Sequence, residues 1–411
     1  MGGENGRVVV DNEVPATAGA VVIGGGVNGL SAAFQLAKRG VRNVVVLERR
    51  QIGGGATGKS GALVRCHYAN VPEALLTLHS QRIFRNWDEE VGAGDPGYDA
   101  VGFIQVVPPD KADNLRKNVA AHQAAGVDTR IVDRAELREI EPMLRTDDLD
   151  IAAFEPHSGY ADSNATVYGF AEAGQRLGVR IVTNTEAIGI EVSGGRVTGV
   201  RTNRGDIATE RVLLAGGSWA NPLLHSLGLD LGMEPVRTQV VIFRWPQSVD
   251  HSRKHRVVID AVNHSWIRPV PGYSTLIGAE RSVGGVEPDA LDEGVPAHSV
   301  GVARSVLAAR FPVFGEALMR GGWAGTYMRS PDGHPVIDRA PGIDGMWLMT
   351  GDSGSSFKTA PAIGICLAEW MTDGAPKLMD LTPFRATRFA EGQPWLDEFA
   401  YGDDRQLTVS R

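Results

Sequence analysis

Gly24, Gly26 and Gly29 stand in the run Gly24-Gly25-Gly26-Val27-Asn28-Gly29, which satisfies G-x-G-x-x-G. This spacing does one kind of chemistry well: the first glycine permits a tight turn, the second lets backbone approach a diphosphate, and the third allows close helix–strand packing. Glu48 follows about 20 residues on, where a carboxylate accepts hydrogen bonds from a ribose diol. An ordinary turn and a solvated charge are the competing readings, and the surrounding pattern decides against them. The arrangement accounts for the adenosine half of a dinucleotide without distinguishing which dinucleotide. Other chemistries lack their residues. No H-E-x-x-H, no clustered Cys/His ligands and no G-x-S-x-G elbow occurs, so a metal centre and a Ser-His-Asp hydrolase are not expected.

The elements that must position these residues are legible around them. Ala20-Val21-Val22-Ile23 reads as a buried parallel strand, Leu30 to Arg39 as a helix stopped by Gly40, and Val44-Val45-Val46-Leu47 as a second strand. Strand, glycine turn, helix and strand form a βαβ unit. Helical spacing continues from Glu73 to about Glu90, from about Lys111 to Ala125, and from Ser163 to Leu177. Gly102 to Val107 and Val179 to Thr183 read as strands. Residues 188 to 214 read as a strand meander whose last member, Arg211 to Gly217, is able to return to the first sheet. Residues 235 to 285 carry short β-like runs punctuated by Pro and Gly, expected to form an antiparallel sheet that roofs a substrate. A last helix runs from about Lys358 to Asp373 after a glycine-rich turn.

The predicted fold class is therefore α/β: a Rossmann-type nucleotide domain, discontinuous in sequence, with a β-rich substrate domain. The nucleotide domain takes residues 19–100, 150–220 and 325–389, and the substrate domain takes 101–149 and 221–324. Residues 1–18 read as a loosely held leader and 390–411 as a tail.

Bulk properties exclude several classes. The chain has 411 residues, enough for two connected domains with a large core. Its 41 basic and 49 acidic residues, net charge −8, give no footprint for nucleic acid. Two cysteines, Cys66 and Cys366, are too few for a disulfide framework, which predicts free thiols in a reducing compartment. No export signal opens the chain and no apolar run approaches the roughly 20 residues needed to cross a bilayer, so a cytoplasmic location without a transmembrane segment is expected.

Further motifs make the reading more specific. They are the loop Gly53 to Ala62 ending in Leu63-Val64-Arg65, the run Leu214-Ala215-Gly216-Gly217-Ser218-Trp219, and Ser330-Pro331-Asp332-Gly333-His334-Pro335-Val336-Ile337-Asp338. Gly354-Ser355-Ser356-Phe357-Lys358 and Pro383 to Phe389 complete the set. Together with the first turn, Glu48 and Arg49, they resemble the D-amino-acid oxidase and sarcosine oxidase superfamily, and sarcosine oxidases especially, from Gly19 to about Phe389.

The resemblance implies FAD. Its diphosphate would lie on Gly24, Gly26, Val27, Asn28 and Gly29, its ribose on Glu48 and Arg49, and its adenine near Ala187. The loop residues Gly55, Thr57, Ser60, Gly61 and Ala62, the Gly216 to Trp219 turn, and Gly354, Ser355, Ser356, Phe357 and Lys358 would hold the rest. Arg65, Tyr327 and Lys358 match a carboxylate-binding group: a forked pair of donors, a hydroxyl and a point charge. That favours an amino acid over a simple amine, oxidised by hydride transfer from the carbon next to nitrogen to give an imine. A secondary or N-methyl amine is the preferred substrate. A D-amino acid or glycine is the alternative, as is a flavin-binding subunit of a larger complex.

Departures from the family pattern shape three more expectations. The cysteine that often attaches flavin is replaced by Gly325, which implies a dissociable cofactor; attachment through His67 or His157 stays open. A flavin-side arginine is replaced by Ala62, and an oxygen-activating lysine falls near Leu276. Loss of that positive charge is expected to slow reaction with oxygen, and the electron acceptor is either molecular oxygen or a carrier protein. His264, Trp266, Arg268, Glu280 and Arg281 lie in the expected roof and are weaker candidates for substrate contact.

Overall fold

The computed structural model describes residues 8–11, 13–279 and 281–402. Two sheets organise them. In the first, six strands lie in the order Val336–Arg339, Met346–Thr350, Val212–Leu214, Ala20–Ile23, Val44–Leu47 and Arg180–Val182. All neighbours are parallel except the antiparallel edge strand Val336–Arg339. The central strands are buried end to end, which is why they are continuous apolar runs instead of alternating ones. The helix Val27–Lys38 packs on this sheet between the helices Ser163–Arg176 and Ala360–Asp373. A Cβ on Gly364 would lie 2.2 Å from Ser31 Oγ, so the Ala360–Asp373 helix approaches its neighbour only because that position is glycine.

The second sheet has eight strands in the order Leu318–Arg329, Glu234–Arg244, Ser274–Gly278, Ser265–Val270, Val257–Asp260, Phe103–Val106, Ile151–Glu155 and Arg130–Asp133. The four strands within 234–278 are mutually antiparallel as expected, and the sheet continues through one parallel pairing of Val257–Asp260 with Phe103–Val106. The meander expected over 188 to 214 forms a separate three-stranded sheet, Ala187–Ser193, Arg196–Thr202 and Gly205–Ala208, before Val212–Leu214 returns to the first sheet.

Several boundaries differ from expectation. Ile151–Glu155 and Leu318–Arg329 belong to the large sheet, although residues 150–220 and 325–389 read as nucleotide segments. The helix expected from Glu73 to Glu90 is Val71–Arg85 followed by a separate turn, Trp87–Glu90. Asn86 breaks it: its side-chain amide takes the Arg82 carbonyl at 2.8 Å, competing with the helical ladder. The described part of the leader is fastened, with the Asp11 amide on the Ile181 carbonyl at 2.9 Å and Thr17 bridged to Ala208. The described tail also packs inward: the Trp395 ring stacks on His334 at 4.2 Å between centroids, and Tyr401 is buried. Among the described residues no helix is long and apolar enough to cross a membrane, and no group of three His, Cys, Asp or Glu is placed to hold a metal ion.

Candidate active site

The strand Ala20–Ile23 delivers the chain to Gly24, whose φ of 117° is open to glycine alone; a Cβ there would stand 2.3 Å from the Ala215 carbonyl oxygen. Gly29 is just as constrained, since a Cβ would lie 2.1 Å from the Gly24 oxygen. These two glycines close the turn onto its helix and the neighbouring strand. Gly26 faces a groove instead, as the N-cap of Val27–Lys38 without a side-chain cap. The Val27 amide donates to Thr57 Oγ1 at 3.1 Å, and the buried Asn28 Oδ1 has no hydrogen-bond partner among the described residues. A helix N-terminus opening on a groove is an anion site by its unpaired amides and its dipole.

Glu48 lines the same groove. Its Oε2 accepts the Gly25 amide at 2.9 Å and its Oε1 accepts the Arg50 amide at 2.8 Å, which fixes the carboxylate while leaving further lone pairs. Burial raises its pKa, opposed by those two amides and by Arg49 and Arg50. Arg49 lies over the Trp219 ring at 5.1 Å and pairs with Asp289 at 3.1 Å, so the rim of the groove is tied to the 288–290 turn.

The groove opens into a second chamber, and Val27, Asn28, Ala56, Thr57 and Asp352 line both. One wall is the face of the eight-stranded sheet. Alternate residues of a strand share a face and cross-strand partners sit side by side, which sets Thr238 opposite Gly325, with Val240 and Tyr327 two residues along their strands on the same face, and Ile259 opposite Trp266. The Tyr327 hydroxyl is 2.6 Å from Ser282 Oγ. Arg65 follows the short strand Leu63–Val64 and is buried over Tyr68 and Phe103, with ring centroids 4.7 and 5.7 Å from its guanidinium carbon. Burial lowers its pKa, opposed by Tyr68, Glu155 and Glu73. Lys358, also buried, donates to the Ser355 carbonyl at 2.9 Å just before the Ala360–Asp373 helix.

Nearly all of the expected site residues meet along this groove and chamber. Gly24, Gly26, Val27, Asn28, Glu48, Arg49, Gly55, Thr57, Ala187, Gly216 and Trp219 line the groove. Ser60, Gly61, Ala62, Arg65, Tyr327, Gly354, Ser355, Phe357 and Lys358 line the chamber. Gly29 and Ser356 line neither: Gly29 serves packing of the turn, and Ser356 is buried beneath. Of the roof candidates Trp266 lines the chamber, whereas Arg268 is turned onto the Tyr160 ring at 4.6 Å, and His264 and Arg281 do not reach it. Glu280 lies outside the described residues. His67 is hydrogen-bonded to the Tyr401 hydroxyl at 2.7 Å and His157 pairs with Asp128 at 3.1 Å; neither lines groove or chamber. Gly325 does, with Lys59 over it: a Cβ there would meet Lys59 Cδ at 3.0 Å.

Sequence reasoning missed Asp352. Burial pushes its carboxyl up to about 6, opposed by the amides of Gly354 and Met328 and the charge of Lys358. Its signal was its place in the Gly351 to Gly354 turn, two residues before a glycine already singled out. At the junction it faces whatever links the groove's occupant to the chamber's.

The residues fit an extended dinucleotide: a helix N-terminus opening on the groove at the glycine turn, a fixed carboxylate for a diol, and a chamber beyond. Residues 20–370 match the family described as FAD dependent oxidoreductase. The chain is 25% identical to sarcosine oxidase subunit beta of Rhodobacter capsulatus over 385 residues, 92% of this chain and 90% of that one. It is 27% identical to glycine oxidase of Geobacillus kaustophilus, over 89% of this chain and 96% of that one. Among solved structures, L-proline dehydrogenase from P. horikoshii superposes with a TM-score of 0.85 at 26% identity, covering 92% of this chain and all of that one (100%).

Proposed function

The chain belongs to the family of FAD-dependent oxidoreductases, and from that premise we propose that it oxidises the C–N bond of a small amino acid, preferably a secondary or N-methyl amine. The observation that carries the reading is the convergence of two buried cations, Arg65 and Lys358, on a chamber continuous with the dinucleotide groove. A guanidinium and an ammonium facing one chamber are charged donors of the kind that fix a carboxylate, and the substrate of an amino-acid enzyme carries one. Similarity to proteins named for sarcosine, glycine and proline supports the class, because all three are small amino acids with a C–N bond to oxidise.

Within this reading each residue has a task. Gly26, Val27 and Asn28 hold the diphosphate and Glu48 the ribose diol. Asp352 offers its carboxyl to hydroxyl groups along the link between groove and chamber. Bound there, FAD supplies the two-electron acceptor. Arg65 and Lys358 fix the substrate carboxylate and Tyr327 offers its hydroxyl, so the carbon bearing nitrogen is held in one orientation. The apolar wall of Leu63, Val240, Ile259 and Trp266 excludes water and favours the neutral amine over the ammonium form. The product is an imine, which water hydrolyses. Neither cysteine nor histidine is among the residues lining groove and chamber, which supports non-covalent binding. Cys66 and Cys366, both buried free thiols, support action in a reducing, cytoplasmic setting.

The test is anaerobic mixing of the yellow protein with sarcosine, other N-methyl amino acids, L-proline, glycine and D-alanine. Fastest bleaching by the secondary amines is expected. Bleaching by glycine or D-alanine alone would replace this reading with a primary-amine enzyme. Bleaching by none, with FAD bound, would favour a subunit that needs a partner for activity, a reading kept open by similarity to a protein named as a subunit.

A further inference from the structure

Trp266 is gripped by two glycines. A Cβ on Gly61 would lie 2.3 Å from Trp266 Cη2, and one on Gly278 would lie 2.4 Å from Trp266 Nε1. Both distances are shorter than any Cβ contact can be, so the indole rests directly on the backbone of the cofactor loop and of the neighbouring strand. Gly278 is the cross-strand partner of Trp266 on one side, and Ile259 is its partner on the other. The ring also packs against the cluster of Phe103, Tyr160, Val257 and Ile259. To leave the chamber the indole would have to displace main chain or a buried core, and close-packed interiors resist that.

The rest of the lining divides by chemistry. Arg65 and Lys358 supply a carboxylate end, while Leu63, Val240, Ile259 and Trp266 supply apolar surface. Trp266 is the largest of these and is immobile, so it sets how much room a substituent on the substrate has. We propose that Trp266 is the specificity-determining wall of the chamber, admitting amino acids whose nitrogen or α-carbon carries a short aliphatic group and rejecting bulkier ones. This inference rests on the amino-acid reading above.

The test uses the FAD-loaded protein in three variants, Trp266→Phe, Trp266→Leu and Trp266→Ala. The second-order rate of anaerobic flavin bleaching is measured for sarcosine and for N-benzylglycine. The wild type and Trp266→Phe should favour sarcosine; Trp266→Leu and Trp266→Ala should move the ratio toward N-benzylglycine by about tenfold or more, the scale expected when an apolar pocket gains room. A second readout needs no turnover: naphthoate and acetate are titrated against the flavin spectrum. Naphthoate should bind at least about tenfold tighter to Trp266→Leu than to wild type, with acetate nearly unchanged. Unchanged ratios in both readouts, in any truncated variant that keeps its FAD, would overturn the inference. If no amino acid bleaches the wild type, the amino-acid reading fails while the carboxylate titrations still judge Trp266.

Discussion

Lys358 and Arg65 share one aromatic ring: the Lys358 ammonium lies 4.9 Å and the Arg65 guanidinium carbon 4.7 Å from the centroid of Tyr68. Both side chains line the chamber and are charged donors, so an arriving carboxylate accepts from them. Arg65→Ala should therefore weaken binding of a simple carboxylate such as acetate by about a hundredfold, the scale of losing one partner from a buried charge pair. FAD content should not change. Arg65→Lys should recover only part of the affinity because the planar fork is lost. Titration of the flavin spectrum with acetate is the measurement, and equal affinity in wild type and Arg65→Ala would remove Arg65 from the site.

Glu48 is held by the Gly25 and Arg50 amides, so its role in the groove does not depend on side-chain searching. Glu48→Ala removes an ionised acceptor and strands the Gly25 amide, a loss of about 1.5 to 3 kcal/mol for a hydrogen bond to a charged group. The dissociation constant for FAD should rise at least about tenfold, as read by fluorescence quenching when apoprotein is titrated with FAD. A constant within twofold of wild type would mean that the ribose is held elsewhere.

Glu155 should make stability fall with rising pH. It accepts the Cys66 amide at 2.9 Å and the Ser158 hydroxyl at 2.5 Å, and burial pushes its carboxyl from 4.5 up to about 7 against those bonds and the charge of Arg65. The folded state thus binds the proton more tightly than the unfolded one. The stabilisation is complete below pH 4.5 and is lost as pH rises through about 7, with a slope of at most about 1.4 kcal/mol per pH unit. The difference in unfolding free energy between wild type and Glu155→Gln, from urea denaturation at each pH, isolates this group. It should change across pH 4.5 to 7 in the direction of relative loss for the wild type; a flat difference would show that Glu155 titrates normally.

Asp332 and Arg388 form a fully buried pair at 2.7 Å that joins the Ser330 to His334 turn to the Ala386–Arg388 turn, with Arg388 also donating to the His334 carbonyl at 2.8 Å. Arg388→Met leaves Asp332 buried without its counter-charge and should cost about 3 to 5 kcal/mol. Urea denaturation provides the value. A loss below about 1 kcal/mol, the scale of a surface pair, would mean that water reaches Asp332 in the variant.

Much of the nucleotide half was legible because its signals are local. Gly24, Gly26 and Gly29 with the runs Ala20–Ile23 and Val44–Leu47 are neighbours in the chain, and turn sterics and helix periodicity depend on neighbours. The two cations and the hydroxyl of the chamber, Arg65, Lys358 and Tyr327, came from resemblance, not from spacing. Asn86 was missed as a break because the apolar pattern continues across it, while the competition for the Arg82 carbonyl is made by a single side chain. Which sheet would take Ile151–Glu155 and Leu318–Arg329 was also hidden, since an apolar strand reads alike in either.

By itself, then, the sequence determined the glycine turn, its helix, the acid that ends the second strand, and the α/β class, because each is written in residues a turn or a strand apart. Only the tertiary structure decided that Asp352 stands where groove meets chamber, that Tyr401 closes on His67, and that Trp266 lies pinned between Gly61 and Gly278. Those contacts join segments far apart in the chain, and they depend on strand register and packing, which no single segment encodes.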